Sequence, residues 1–173
     1  MSKRNLLFTG EGKGKTTAAL GMVLRAVGKG MSVRVIMFVK NDESVGEMKA
    51  LAALPKVNVS QHGLGFIPKA GSPAYALHSD AAQEALKIAS KALKDPAFDM
   101  VVLDEVCVAV ANGLISEEQV AAILDKAADK KIIVMTGRGA PKCLVESADT
   151  VTEMRCIKHG YTYGIAAQDG VEF

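Results

Sequence analysis

Asn5-Leu6-Leu7-Phe8-Thr9-Gly10-Glu11-Gly12-Lys13-Gly14-Lys15-Thr16-Thr17-Ala18-Ala19 passes from a short apolar run, through a loop of glycines and lysines, into helix formers. Residues 5–9 read as a buried parallel strand and residues 15–27 as a helix that stops at Gly28-Lys29-Gly30. A loop in that setting is suited to phosphate. Gly10, Gly12 and Gly14 let the backbone curl so that N–H groups converge on an anion, and the helix adds the positive end of its dipole. Lys15 brings a full charge to phosphate oxygens, and the Thr16 hydroxyl suits Mg²⁺. The spacing is a variant: three residues separate Gly10 from Gly14 where the common pattern has four, and Thr9 stands where its first glycine would be.

Outward from this loop, the chain alternates strands and helices. Strands are expected at residues 33–39, 57–60, 99–103, 132–135 and 150–154. Helices are expected at 46–54, 79–94, 107–111 and 141–147. A further helix opens with the capping pattern Ser116…Gln119 and runs to Lys126 or Ala128. Residues 63–78, rich in Gly and Pro, read as a long loop, and the tail from residue 165 to 173 as an added edge strand. Alternation of this kind predicts an α/β fold of three layers, a mostly parallel sheet with helices on both faces. No internal repeat or linker interrupts it, so residues 1–173 are expected to form a single nucleotide-binding domain.

Composition agrees. The 173 residues are 49% hydrophobic and 23% charged, which is globular rather than disordered. Alanine occurs 25 times, aromatics are 5% and tryptophan is absent. Such a core favours helices packed closely on a sheet over a sandwich of large rings. The net charge of +2 gives no whole-protein field for nucleic acid or membrane. It is uneven, however: residues 1–60 hold ten basic and four acidic residues, which suits a polyanion near the loop. Cys107, Cys143 and Cys156 lack the spacing of a zinc site or disulfide framework and read as reduced thiols. Met1-Ser2-Lys3-Arg4 is no secretory leader, and no apolar run reaches the roughly 20 residues that span a bilayer, so a cytoplasmic location is expected.

Two further segments fall at the carboxyl edge of the sheet, where open α/β proteins bind ligands. Asp104-Glu105 follows the fourth strand and is placed to hold Mg²⁺ with Thr16, or to serve a nucleophile in an ATPase. Thr136-Gly137-Arg138-Gly139-Ala140-Pro141 follows the fifth and offers Arg138 to phosphate oxygens. His62, His78 and His159 have no metal-ligand spacing and read as structural or solvated, and Met22, Met31, Met37, Met48 and Met135 as core filler.

Taken in order, these segments resemble the P-loop type of corrinoid adenosyltransferases. The match runs through residues 9–19, Val102-Leu103-Asp104-Glu105 and residues 136–141. It continues through Ala148-Asp149, Val151-Thr152-Glu153-Met154-Arg155, Lys158-His159, residues 164–168 and Gly170-Val171-Glu172-Phe173. The resemblance implies a RecA-like core that transfers the 5′-deoxyadenosyl group of ATP to the cobalt(I) of a reduced corrinoid and releases triphosphate. It implies ATP binding by Gly10, Glu11, Gly12, Lys13, Gly14, Lys15, Thr16 and Thr17, with ATP held in the reverse of the usual sense. Catalytic roles then go to Lys15, Thr16 and Arg138, and Mg²⁺ binding to Thr16, Asp104 and Glu105. The implied partners are a cobalamin, cobinamide or cobyrinic acid a,c-diamide substrate, a flavoprotein reductant and a second copy in a homodimer.

The chain departs from the family at several places. A Phe-x-Trp pattern that covers the lower face of the corrinoid appears here as Phe66-Ile67-Pro68, so Phe66 and Pro68 are the corrinoid-binding candidates and proline replaces the flat ring. Met37-Phe38-Val39-Lys40-Asn41 stands for Gln-Phe-x-Lys-Gly, Gly46-Glu47 is kept, and Gly160 replaces a frequent proline. About four residues precede the first strand where many members carry an extension that closes the site. Two other readings remain open at this point: an ordinary P-loop ATPase or kinase, and a non-catalytic relative that binds ATP or corrinoid.

Overall fold

The computed structural model describes residues 3–172; Met1 and Ser2 at the start and Phe173 at the end of the tail motif lie outside the described residues. Among the described residues six strands form one sheet, β1 (Arg4–Thr9), β2 (Val33–Met37), β3 (Val57–Gln61), β4 (Met100–Asp104), β5 (Ile132–Thr136) and β6 (Thr150–Glu153). Their spatial order is β3-β2-β4-β5-β1-β6, and every pairing is parallel. The order has a direct consequence. The strand that feeds the phosphate loop and the strand that ends in Asp104 are separated by β5 alone, so three carboxyl ends stand side by side.

The sheet is covered on both faces. On one, α1 (Lys15–Gly28) and α2 (Gly46–Ala53) pack Ala19, Val23, Ala26 and Leu51 on Val33, Val35, Met37, Val102 and Val134. On the other, α3 (Pro73–Lys94), α4 (Val106–Ala111), α5 (Glu117–Asp125) and α6 (Lys142–Ser147) enclose Leu7, Ile36, Leu103, Ile133 and Met135. Alanines at 82, 85, 89 and 92 line the buried face of α3, which lets its axis approach the sheet closely. Met37 and Met135 are fully buried and Met22, Met31 and Met48 pack at the margin, as core filler should. The capping box is present: the Ser116 hydroxyl accepts from the Gln119 amide at 3.2 Å, and the Gln119 side chain accepts from the Ser116 amide at 2.8 Å.

Two expectations are corrected. The long loop does not reach residue 78, because α3 begins at Pro73 and not at 79. Ser72 is its N-cap, accepting from the Tyr75 amide, and Pro73 fills the first helical position, where a missing N–H does no harm. The tail forms no edge strand among its described residues. A short 3₁₀ turn, Gly160–Tyr163, is followed by turns, and β6 is the edge of the sheet. The physical reason is that Gly164 and Gly170 adopt positive φ and bend a chain that would otherwise extend. Among the described residues no helix is long and apolar enough to cross a membrane.

Candidate functional site

The loop between β1 and α1 is shaped from below by the chain that leaves β6. A Cβ on Gly10 would lie 2.5 Å from the Met154 carbonyl oxygen, and one on Gly12 would lie 2.7 Å from the same atom. Only glycine fits at either position. The Gly12 amide donates to that carbonyl at 2.6 Å, so this N–H is engaged within the protein and is not part of an anion nest. Gly14, at φ +108°, is the N-cap of α1 and supplies no side chain to it. With no acid in the first turn either, the positive end of α1 is left for a ligand.

Lys15 is 7% exposed. Its ammonium donates to the Gly10 carbonyl at 2.8 Å and the Gly12 carbonyl at 2.7 Å. Burial lowers its pKa, opposed by Glu105, Glu11 and Asp104 and assisted by Arg138. Beside it, Asp104 is fully buried and organises the floor. Its Oδ1 accepts from Thr16 Oγ1 at 2.8 Å and from Thr136 Oγ1 at 2.8 Å. The Thr136 hydroxyl in turn accepts from the Glu105 amide at 2.8 Å. One hydroxyl on the middle strand therefore ties both carboxylate residues together. Glu105 sits at φ +59°, a left-handed conformation that a non-glycine residue adopts only when its surroundings impose it. Burial raises its pKa, and the neighbouring Asp104 raises it further, against Lys40, Lys15 and Arg138.

Asp104 Oδ2 and Glu105 Oε2 are buried without hydrogen-bond partners. Lys40 stands 3.4 Å from Asp104 Oδ2 as an ion-pair partner, yet buried carboxylate oxygens without hydrogen bonds are costly, and a cation beside Thr16 would satisfy both. The residues thus fit Mg²⁺. Among the described residues no set of three or more His, Cys, Asp or Glu side chains gathers to enclose a metal. Two carboxylates and a hydroxyl are instead the sparse donor set of a Mg²⁺ that keeps waters and takes substrate phosphates.

Over this floor opens a cleft of about 700 Å³ lined by Lys13, Lys15, Thr16, Lys40, Glu105 and Arg138 among others. Arg138 faces Glu11 at 3.5 Å across its rim, an exposed and hence weak pair. The tail closes one side: Val171 and Glu172 line the cleft, and Glu172 pairs with Lys13 at 3.6 Å. A second cleft of about 720 Å³ shares Arg138, His159, Val171 and Glu172 and continues along Tyr161, Ile165 and Ala166. His159 lines both, while its Nδ1 accepts from the Tyr161 amide, so it shapes the tail.

The structure brings together Lys15, Thr16, Asp104, Glu105 and Arg138. It does not bring Phe66 or Pro68 to the cleft wall; Phe66 is 95% exposed on its loop. Sequence reasoning missed the roles of Thr136, Lys40, Glu47, Met154 and Glu172. All five stand in segments that are like a known pattern, but nothing in their spacing reveals which groups they meet.

The family model described as ATP:corrinoid adenosyltransferase BtuR/CobO/CobP matches residues 3–173. A corrinoid adenosyltransferase of Pseudomonas aeruginosa is 41% identical over 170 residues, covering 97% of this chain and 82% of that one. Corrinoid adenosyltransferase CobA of Salmonella typhimurium is 36% identical over 173 residues, covering 97% and 84%. Among solved structures, flagellar accessory protein FlaH of Methanocaldococcus jannaschii superposes with a TM-score of 0.53 at 16% identity, over 88% of this chain and 70% of that one. That likeness bears on the fold alone, which is RecA-like.

Proposed function

Since this chain belongs to the ATP:corrinoid adenosyltransferase family and transfers adenosyl from ATP to a corrinoid, we propose that its main cleft receives the triphosphate of ATP as a leaving group. The observation that carries this is the Thr16–Asp104–Thr136–Glu105 network, buried at Asp104 and Thr136, set beside the buried Lys15. Cobalt(I) of the reduced corrinoid is the nucleophile. Its electron pair forms the bond to C5′, the C5′–oxygen bond breaks, and that bonding pair leaves with the triphosphate. No proton needs to be removed from the nucleophile, so no general base is required. The chain's task is to hold the leaving group and stabilise the charge that grows on it.

Residues 10–17 form the cradle in this reading, its Gly12 amide kept on Met154, with Lys15 exchanging two loop carbonyls for phosphate oxygens and Arg138 closing from the rim. Thr16, Asp104 and Glu105 would hold Mg²⁺, which neutralises phosphate charge when bound. Phe66 and Pro68, on a loop outside the lining of the phosphate cleft, would meet the corrinoid. Residues 1–173 act as one nucleotide-binding domain, in the cytoplasm, as a homodimer supplied with electrons by a flavoprotein.

The test is to incubate the protein with ATP, Mg²⁺ and chemically reduced cobalamin or cobinamide, following the cobalt(I) absorbance and the phosphate products. Adenosylated corrinoid with one equivalent of intact triphosphate is expected. ADP and phosphate formed without corrinoid would instead mark an ordinary ATPase.

A further inference from the structure

Lys40 lies three residues beyond the end of β2, outside both the loop and the Asp104-Glu105 pair. Its ammonium is 3.3 Å from Glu47 Oε1, 3.4 Å from Asp104 Oδ2 and 3.4 Å from Thr16 Oγ1. It also lines the main cleft. Two neighbours fix the backbone that carries it. The Val39 carbonyl accepts from the Gly65 amide at 2.9 Å, and a Cβ on Gly63 would lie 1.9 Å from the Val39 carbonyl carbon. The main chain on the N-terminal side of Lys40 is thus clamped, and its four-carbon stem carries the ammonium to Glu47, Asp104 and Thr16.

Among the described residues, the other cations of the cleft have single acidic partners or none. Lys13 faces Glu172, Arg138 faces Glu11, and Lys15 rests on carbonyl oxygens. Lys40 alone among them is shared by two carboxylates, one of them fully buried and one at the first turn of α2. Neither contact is a strong one: both distances exceed those of good charge-assisted hydrogen bonds. An ammonium loosely shared between two acids, within reach of the Thr16 hydroxyl and facing open cleft, is placed to move to a better anion.

We propose that Lys40 is a further phosphate-binding residue, held by Glu47 and Asp104 in the free protein and transferred to triphosphate oxygens when substrate enters. The inference rests on the reading that the cleft receives triphosphate. Glu47 is then the positioning residue, since it keeps the ammonium over the cleft and competes with phosphate for it.

Binding of inorganic tripolyphosphate, measured by calorimetry at fixed Mg²⁺ without corrinoid or nucleoside, tests it. Lys40→Ala should weaken binding roughly tenfold or more, the value of one charge-assisted contact. Lys40→Arg should restore most of it, and Glu47→Gln should tighten binding by removing the competitor. Lys40→Ala takes a cation from beside the buried Asp104 and should lower the melting temperature, whereas Lys40→Arg keeps the charge and should unfold near the parent. Wild-type affinity in Lys40→Ala would overturn the proposal, as would equal weakening in Lys40→Arg with a fallen melting temperature. Lys15→Ala separates the two readings: if it too leaves affinity unchanged, the cleft assignment itself fails, whereas weakening by Lys15→Ala alone removes only Lys40.

Discussion

The floor of the phosphate cleft and the loop that bears Phe66 sit near one another at the same edge of the sheet, yet they are built on opposite principles. Thr16, Asp104, Thr136 and Glu105 come from three adjacent carboxyl ends and are locked by hydrogen bonds of 2.8 Å. Phe66 is 95% exposed, on a segment held at Gly63 and Gly65 against Val39 and Asn41 and by Ile67 on the core. Polar groups aimed at a charge must be fixed in advance, because reorganising them during reaction would forfeit their effect. A surface that meets a broad flat ligand gains its stabilisation from area and can wait for that ligand to cover it.

The sharpest way to break this comparison is Lys15→Ala. Adenosylation should fall about 10²–10³-fold, while thermal stability holds or rises, because a buried charge is removed. Gradual loss of cobalt(I) absorbance at near-normal rate would show that the floor is not preorganised around Lys15. Asp104→Asn comes next. It leaves two hydroxyl donors facing an amide, and chemical unfolding should show a loss of about 1–3 kcal/mol. Phe66→Ala makes the converse claim: corrinoid KM rises and ATP KM does not, with an unfolding curve superimposable on the parent's.

The contrast between the two regions also bears on what could be read from residue order. The loop, the capping box at Ser116 and the Asp104-Glu105 pair were legible because each is local: neighbours in the chain are neighbours in space. The start of α3 was local too, in Ser72-Pro73, but was masked by the glycines and prolines before it. What was not legible depends on strand order. Thr136 becomes the link between Asp104 and Glu105 only because β5 lies between β4 and β1. Gly12 meets Met154 only because β6 flanks β1. No spacing in the sequence encodes either neighbour.

Two smaller effects sharpen the picture away from the site. Gly21 lies in α1 with nothing within 4 Å of a Cβ placed on it, so Gly21→Ala should stabilise by about 0.5–1 kcal/mol in urea unfolding. Gly12→Ala, the same change against Met154, should destabilise the loop and weaken ATP binding. His62 gives the smallest signal. Burial, and then Arg34, lowers its pKa from 6.5, while Glu84 opposes them. The unfolded state therefore binds the proton more readily, and stability should decline as pH falls below 6.5. His62→Asn should flatten that decline in melting temperature measured across pH 5–7.

The backbone stitch between Gly12 and Met154 has a practical corollary. Cys156, two residues beyond Met154, is exposed on the wall of the second cleft. Cys107 and Cys143 have thiols pushed up to about 12 and about 11 by burial. A thiol-directed dye at neutral pH would thus settle on Cys156, next to the chain segment against which the phosphate loop is folded. The protein thus carries its own labelling site beside that loop, with no engineered cysteine needed.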